Sequence, residues 1–517
     1  MILPGFIITL MLGGILSWIA ARWGHLYARW ISLLTLFANF IVAITVWVGN
    51  AGNADFFSNW ALEFSVAWIP SFGINFHLAL DGLSLLLLSL TFFLGTLAVL
   101  VSWKEIQEKT GLYHFCLLWV LAGITGVFLT MDLFLFYFFW EVMLIPMFFL
   151  ILIWGHENRR YAAFKFFIFT QASGLLMLLS ILGFYFIHGA QTGIYTFDYF
   201  EWLGTELPPQ TAMWLMLGFL IAFVVKLPVV PFHAWLPDAH SEAPTAGSLV
   251  LAALMLKTGA YGLLRFILPL FHHAAMEIAP WAMAIDVVGA VYGALLAFSQ
   301  TNLKRLVAYT SVSHMGFIML GVFSFHEIAL QGVVMQIMAH GISTGALFIL
   351  AGMVYERIHT RDITQMGGFW KGMPFLGVMA LVFTMATWGL PGLGNFVAEF
   401  LTLVGTWQVA PITTAIAAIG LVAATAYALR ILQKVFYGPA PSGPNTLSDL
   451  TWREKIIMGT LVAAISWLGL YPQPVLDTSY GAVNTILHEN NETGALREPY
   501  KKQEGIFTSI GKGGAHE

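Results

Sequence analysis

The amino-acid sequence predicts an all-α polytopic membrane protein of about fourteen transmembrane helices, with two inverted five-helix repeats that each contain a broken helix. Three observations lead there. Of the 517 residues, 59% are hydrophobic and only 10% charged, where a soluble domain has about 25% charged residues. Apolar stretches of roughly 20 residues, enough to cross a bilayer, recur along the whole chain. Two of these stretches are interrupted by clustered proline and glycine.

The spans lie near 2–20, 30–48, 83–101, 113–130, 132–154, 164–187 and 211–230, then 247–269, 280–299, 305–323, 328–350, 374–408, 411–432 and 456–471. The longest polar stretches are 49–78, 188–210 and the tail 472–517, which leaves no room for a sizeable soluble domain. The seventh span runs into VVKLPVVPFHAWLPDAHSEAPTAG, where Pro228, Pro231, Pro237 and Pro244 remove backbone donors and break the helix. The twelfth is too long for one straight crossing and contains GLPGLGN at 389–395. Broken helices at membrane depth are tolerated where protein or a water-filled cavity satisfies the freed groups, and they mark transporter sites. Both breaks fall in the fourth member of a set of five spans. The expected division is 1–112 for helices 1–3, 113–270 for the first repeat (helices 4–8), 271–435 for the second (helices 9–13), and 436–517 for helix 14 and the tail.

A net charge of −4 points to no nucleic acid or other charged partner. Cys116 is the only cysteine, which excludes internal disulfides, cysteine-based zinc sites and iron–sulfur clusters. Nineteen tryptophans suit interfacial belts. The first 20 residues lack a basic n-region and are expected to be a retained span.

Lys and Arg give the orientation. With the N-terminus outside, the inside loops hold Arg22, Arg29, Lys104, Lys109, Arg159, Arg160, Lys304, Arg305, Arg357, Arg361, Lys371, Lys434, Arg453 and Lys455, with Arg430 at the inside end of the thirteenth span. Segments 49–78 and 188–210 carry Asp55, Glu63, Asp198, Glu201 and Glu206 but no Lys or Arg. Arg265, toward the outside end of the eighth span, and the tail cations Arg497, Lys501, Lys502 and Lys512 run against the pattern. The expected location is a bacterial inner membrane with both termini on the periplasmic side.

Four charges stand inside apolar spans: Glu141 in LFLFYFFWEVMLIPMFFL, Lys226 in FLIAFVVKLP, Lys257 in LVLAALMLKTGAYGLL and Glu399 in GNFVAEFLTL. A charge at the bilayer centre costs about 2.5–3.5 kcal/mol on insertion scales, so such residues pair in a bundle interior and mark ion or proton routes. Desolvation disfavours the charged form of either residue type, so a movable partner charge can switch its proton on or off. The plainer reading is a static ion pair such as Glu141–Lys226. Four charges, two of them beside helix breaks, favour proton translocation over that reading.

His314 and His340 lie within the tenth and eleventh spans, and His233 and His240 in the first broken region. Imidazole titrates near pH ~6.5 and makes a good relay. Paired histidines on neighbouring helices also suit axial haem ligation, and each can be a satisfied structural residue. Glu105, in SWKEIQEK, reads as a solvated loop charge that could also face a lateral route. Asp81 and Asp132 begin helices, where a carboxylate favours the positive end of the dipole. Lys165 sits near the inside end of the sixth span and is expected to snorkel.

The segment VVKLPVVPFHAWLPDAHSEAPTAGS, followed by LKTGAYGLLRF and TNLKRLVAYTSVSHMGF, resembles the antiporter-like core of the respiratory NADH:quinone oxidoreductase, complex I. The resemblance covers essentially all the spans. The glutamate at 399, where the sister chains L and N carry lysine, favours the M branch of this family. So do SWKEI, YERIHTRDI and the lack of a long lateral helix. The resemblance implies that Glu141 and Lys226 are a coupling pair, Lys257 a central relay and Glu399 the exit-side carrier. His314 and His340, and with them His233, would lie on a hydrophilic axis. It also implies flavin, iron–sulfur clusters and quinone in partner subunits, no cofactor in this chain, and sister chains L and N as neighbours in the bilayer.

The competing readings are a subunit of a multisubunit Na⁺/H⁺ antiporter or membrane-bound hydrogenase, a haem-bearing quinone oxidoreductase, and a passive scaffold.

Overall fold

The computed structural model describes residues 1–51, 53, 56–57, 60–439 and 447–488. Asp55 and the tail residues Arg497, Lys501, Lys502 and Lys512 lie outside the described residues.

The first helices are α1 (Ile2–Ala20), α2 (His25–Gly49), α3 (Gly82–Glu105), α4 (Thr110–Leu129), α5 (Leu133–Trp154) and α6 (Arg159–Thr192). Next come α7 (Pro209–Lys226), the short α8 (Leu236–Glu242), α9 (Thr245–Leu270), α10 (His272–Ser299), α11 (Leu303–Val322) and α12 (Glu327–Ile358). The last are α13 (Pro374–Thr387), α14 (Gly394–Val409), α15 (Pro411–Phe436), α16 (Trp452–Leu470) and α17 (Gln473–His488). In α9 and α12 every residue of the apolar window is buried. A helix that is apolar all round belongs in the middle of a bundle, and these two form the central spine.

Among the described residues, eleven helices are long and apolar enough to cross a membrane, or twelve with the bent pair α16–α17 taken as one. The sequence led to about fourteen, and the three differences have physical causes. Helix α11 carries Lys304, Thr310, Ser311, Ser313 and His314 and hides them inside the bundle, so apolarity alone does not mark it. The expected 374–408 span is two half-helices, α13 and α14, separated at 388–393. The expected fourteenth span turns by 67° into α17, which falls in what reads as a polar tail.

The polar stretch 49–78 also contains structure. Strand β1 (Leu62–Ile69) pairs antiparallel with β2 (Ile74–Leu80). Gly73 closes the turn at φ +67°, a left-handed conformation that favours glycine. The hairpin is stitched to the helix ends: Met131 N–H donates to His77 O at 3.0 Å, and Tyr199 N–H to Met131 O at 2.8 Å.

Each set of helices fixes its second member in the same way. Asp132 caps α5 by accepting from Leu135 N–H at 3.0 Å and is bridged to Asp198. Asn302 caps α11 by accepting from Arg305 N–H at 3.2 Å and is bridged to Asp362. These two bridges anchor the helices that carry Glu141 and His314.

Candidate functional site

The site grows from the middle of α9. Turns wound with i→i+5 hydrogen bonds at Leu251–Met255 and Leu263–Ile267 flank the segment that carries Lys257. Such widened turns leave carbonyls for other donors, and Lys257 Nζ donates to Ala252 O at 2.9 Å. The same ammonium lies 2.7 Å from His340 Nδ1 on α12. The His340 ring meets the His314 ring edge-on, with centroids 5.4 Å apart. On its far side, His314 Nδ1 lies 3.2 Å from Glu399 Oε1 on α14, at ion-pair distance though off line for a hydrogen bond. Tyr427 on α15 holds His314 Nε2 at 3.1 Å, and Gln336 approaches Nδ1 at 3.5 Å. Lys257, His340, His314 and Glu399 are all buried. The structure thus brings together four of the residues singled out in the sequence as one string across four helices.

The second helix break positions the end of that string. Gly389, at φ +75°, lies against Glu399: a Cβ there would be 2.6 Å from Oε2. Glycine is needed on both counts, for the left-handed backbone and for the close approach.

The other end is Lys226, the last residue of α7. Its Nζ sits over the Trp140 ring at 4.9 Å and the Phe166 ring at 5.9 Å. Trp235 pins the break by donating to Val225 O at 2.9 Å. Glu141 is half-buried on α5, next to Trp140 and beside Tyr137 and Gln171. Lys226 and Glu141 feel each other's charge, yet they form no direct ion pair; among the described residues, Lys226 Nζ and Glu141 Oε1 are each buried without a hydrogen-bond partner. The static bridge considered from sequence is not what the structure contains.

A further group of charges lies where α8, α9 and α11 begin and end. Lys304, fully buried, donates to Ala243 O at 2.9 Å and interacts electrostatically with Glu105, Arg361 and Glu242. His240 stacks flat on Phe348 at 4.6 Å, and both its ring nitrogens are unpartnered among the described residues. The charges of Lys304 and Lys257 both act on it. His233 stands apart, half-buried against Tyr292 and Tyr309, with the Lys165 charge acting on it.

Three smaller expectations change. Glu105 is not a solvated loop charge: its Oε1 accepts from both the N–H and the hydroxyl of Thr245 at 3.0 Å and so caps α9. Lys165 does not simply snorkel; it pairs with Asp238 at 2.6 Å, and Arg305 holds the other oxygen of that carboxylate at 2.5 Å. Asp81 caps α3 through Ser84 N–H, as its place suggests, and also forms a buried ion pair with Arg265. That pair explains the one span arginine that runs against the charge pattern.

Sequence reasoning counted Lys304 only as an inside-loop cation, where the structure buries it in α11, and passed over Gln336, Tyr427 and Asp286. Gln336 is one turn before His340, on the same helix face, which is a usable signal. Asp286 is a lone carboxylate in an apolar span, the same signal that flagged Glu141. Among the described residues, no three His, Cys, Asp or Glu side chains are placed to hold a metal ion. His314 Nε2 and Nδ1 face Tyr427 and Glu399, and His340 Nδ1 faces Lys257, with the two ring centroids 5.4 Å apart.

Comparison with known proteins places this arrangement. Residues 130–425 match the family described as NADH:quinone oxidoreductase/Mrp antiporter, transmembrane. The chain is 51% identical over 498 residues to the NADH-quinone oxidoreductase subunit M of Pseudomonas aeruginosa, covering 94% of this chain and 97% of that protein. It is 50% identical to the protein of the same name from Escherichia coli K12, with the same coverage. Among solved structures, a chain of respiratory complex I from Thermus thermophilus with bound NADH superposes with a TM-score of 0.82 at 31% identity, over 93% of this chain and 99% of that one. With two breaks, a buried Lys–His–His–Glu string and relatives of this closeness, the chain belongs to the NADH:quinone oxidoreductase/Mrp antiporter family of multi-pass membrane proteins.

Proposed function

We propose that the chain is a proton-translocating, antiporter-like membrane subunit of a respiratory NADH:quinone oxidoreductase, and that protons pass through Lys257, His340, His314 and Glu399 under the control of Glu141 and Lys226. The observation that carries this reading is the Lys257–His340 contact of 2.7 Å, continued to Glu399 by His314. Two basic groups at that distance share a proton: one donates while the other accepts through its lone pair. Moving the proton from Lys257 toward Glu399 neutralises a buried cation at one end and a buried anion at the other, which a low-dielectric interior favours. Lys226 supplies the switch. Its cation is free of a direct partner, so approach of the Glu141 carboxylate settles it, and withdrawal raises the potential along the string toward Lys257.

On this reading Lys304 and His240 link Lys257 to the basic face of the bundle, and His233 guards the rim of the first break beside Lys165. Moving one charge against 100 mV costs about 2.3 kcal/mol, so the drive comes from redox chemistry in partner subunits. Those subunits hold the flavin, the iron–sulfur clusters and the quinone, and sister chains of L and N type adjoin this one in the bilayer. The chain lies in the bacterial inner membrane with both termini on the periplasmic side, and helices α4–α9 and α10–α15 form two inverted repeats. The repeated capping bridges at Asp132–Asp198 and Asn302–Asp362 support that symmetry.

The test is NADH-driven proton uptake into inverted membrane vesicles that carry the assembled complex. Lys226→Ala and Glu141→Ala are expected to abolish uptake while leaving assembly intact. Undiminished pumping in both variants makes the chain a scaffold.

A further inference from the structure

Asp286 lies midway along α10 and is 1% exposed. Among the described residues, both its carboxylate oxygens are buried without a hydrogen-bond partner, and no charged side chain acts on it. The other two buried aspartates have structural work: Asp81 caps α3 and pairs with Arg265, and Asp132 caps α5. Asp286 does neither, and it sits inside a helix, where aspartate is a poor former. A carboxyl group without a hydrogen-bond partner is unfavourable there where an apolar residue would not be.

Its place relative to the string is fixed by α11. That helix crosses α10 so closely that a Cβ on Gly316 would lie 2.7 Å from Asp286 O and 3.1 Å from Ala290 N. Ser313 Oγ donates to Ala290 O at 2.7 Å in the same crossing. His314, the next residue, turns to the other side of α11 and meets Glu399. Gly316 and His314 are two residues apart, about 3 Å of helix rise. One helix therefore holds Asp286 against one flank and the His314–Glu399 end of the string against the other, at nearly the same depth.

We propose that Asp286 is a second proton-holding carboxyl at the Glu399 end of the route, an inference that rests on the translocation reading above. The bilayer tolerates the group as a neutral acid without a counter-ion. Because the two carboxyls stand on opposite flanks of α11, the transfer runs through water: an O–H bond on Asp286 breaks as an O–H bond forms on a water molecule, which gives up another of its protons to the Glu399 carboxylate, or the reverse, so each carboxyl is refilled by the other. One proton moves, and no oxidant or reductant is needed.

The experiment compares Asp286→Asn, Asp286→Leu and Asp286→Glu with Glu399→Gln in the assembled complex in inverted vesicles, reading proton uptake per NADH oxidised. Asn keeps the size and neutrality of the loaded acid but cannot release a proton, and Leu replaces it with apolar atoms. Both are expected to lower uptake roughly a hundredfold, the low end for loss of a proton-transfer group, while Glu restores it. An infrared difference spectrum during turnover should lose a carboxylic C=O band in Asn and Leu and regain it in Glu. Wild-type uptake in Asn or Leu, with uptake lost in Glu399→Gln, overturns the role of Asp286 and leaves the translocation reading standing. Wild-type uptake in Glu399→Gln as well overturns that reading itself.

Discussion

Lys257 Nζ lies 2.7 Å from His340 Nδ1, two basic groups on the two fully buried central helices with no carboxylate between them. Only one of them can hold the shared proton, so the contact is a place where a proton is passed. His340→Gln should separate passing from holding, because an amide oxygen can accept from Lys257 but cannot carry the proton onward. Proton uptake in vesicles should fall about tenfold or more, with the complex still assembled. Wild-type uptake would remove His340 from the route.

Gly389 makes a second expectation specific. Alanine there must adopt φ +75° and place its Cβ 2.6 Å from Glu399 Oε2. The backbone strain costs about 1–2 kcal/mol, and the Glu399 carboxylate is pushed from His314. Gly389→Ala should therefore lower both thermal stability and pumping. The mild variant Gly459→Ala, at a site with nothing within 4 Å, should change neither.

The Asp81–Arg265 ion pair is a structural feature, separate from the route. It is buried at both ends, and the guanidinium also stacks over Trp60 at 4.5 Å. Removing one partner strands a buried charge and costs about 3–5 kcal/mol, whereas replacing both with neutral groups costs much less. Native gels should show assembly lost in Asp81→Ala and in Arg265→Met but largely recovered in the double variant. Equal loss in all three would contradict the pairing.

The hairpin should respond to pH through His77. Its Nδ1 lies 2.5 Å from Asp198 and its Nε2 2.9 Å from Glu63. Burial alone lowers this imidazole, but Asp198 and then Glu63 more than offset it, leaving it raised above its ordinary value. A raised histidine stabilises the fold fully below its unfolded value near pH ~6.5, and the benefit is lost as pH climbs through the higher folded value. Asp132, the cap of α5, accepts from Asn75 N–H in the hairpin at 2.9 Å and is pushed up to about 6, first by burial. Amide exchange in residues 62–80 should therefore quicken between mildly acidic and alkaline pH more than chemical exchange alone dictates. In His77→Gln the part of that dependence above about pH 6, where Asp132 is already ionised, should vanish.

How much of this was legible in the sequence depends on the range of each interaction. Glu141, Lys226, Lys257 and Glu399 are visible because a charge in an apolar run is costly wherever its partner lies. The breaks are visible because proline and glycine act locally. Glu105 is misread because its partner, Thr245, is 140 residues away and only the fold makes it a cap. Lys165 is misread for the same reason, with Asp238 at a separation of 73. The hairpin hides in a polar stretch, since LEFSVAWI and INFHLAL are short and only partly alternating. Helix α11 is legible as the expected span at 305–323, although the polar face that it turns inward makes it less apolar than its neighbours.

The most direct test of the central claim is proton uptake per NADH oxidised with Lys257→Met, which keeps the length of the side chain and removes its proton. The expected result is an assembled complex whose uptake falls about tenfold or more. Uptake per NADH equal to that of the unaltered complex would contradict the claim that protons pass through Lys257.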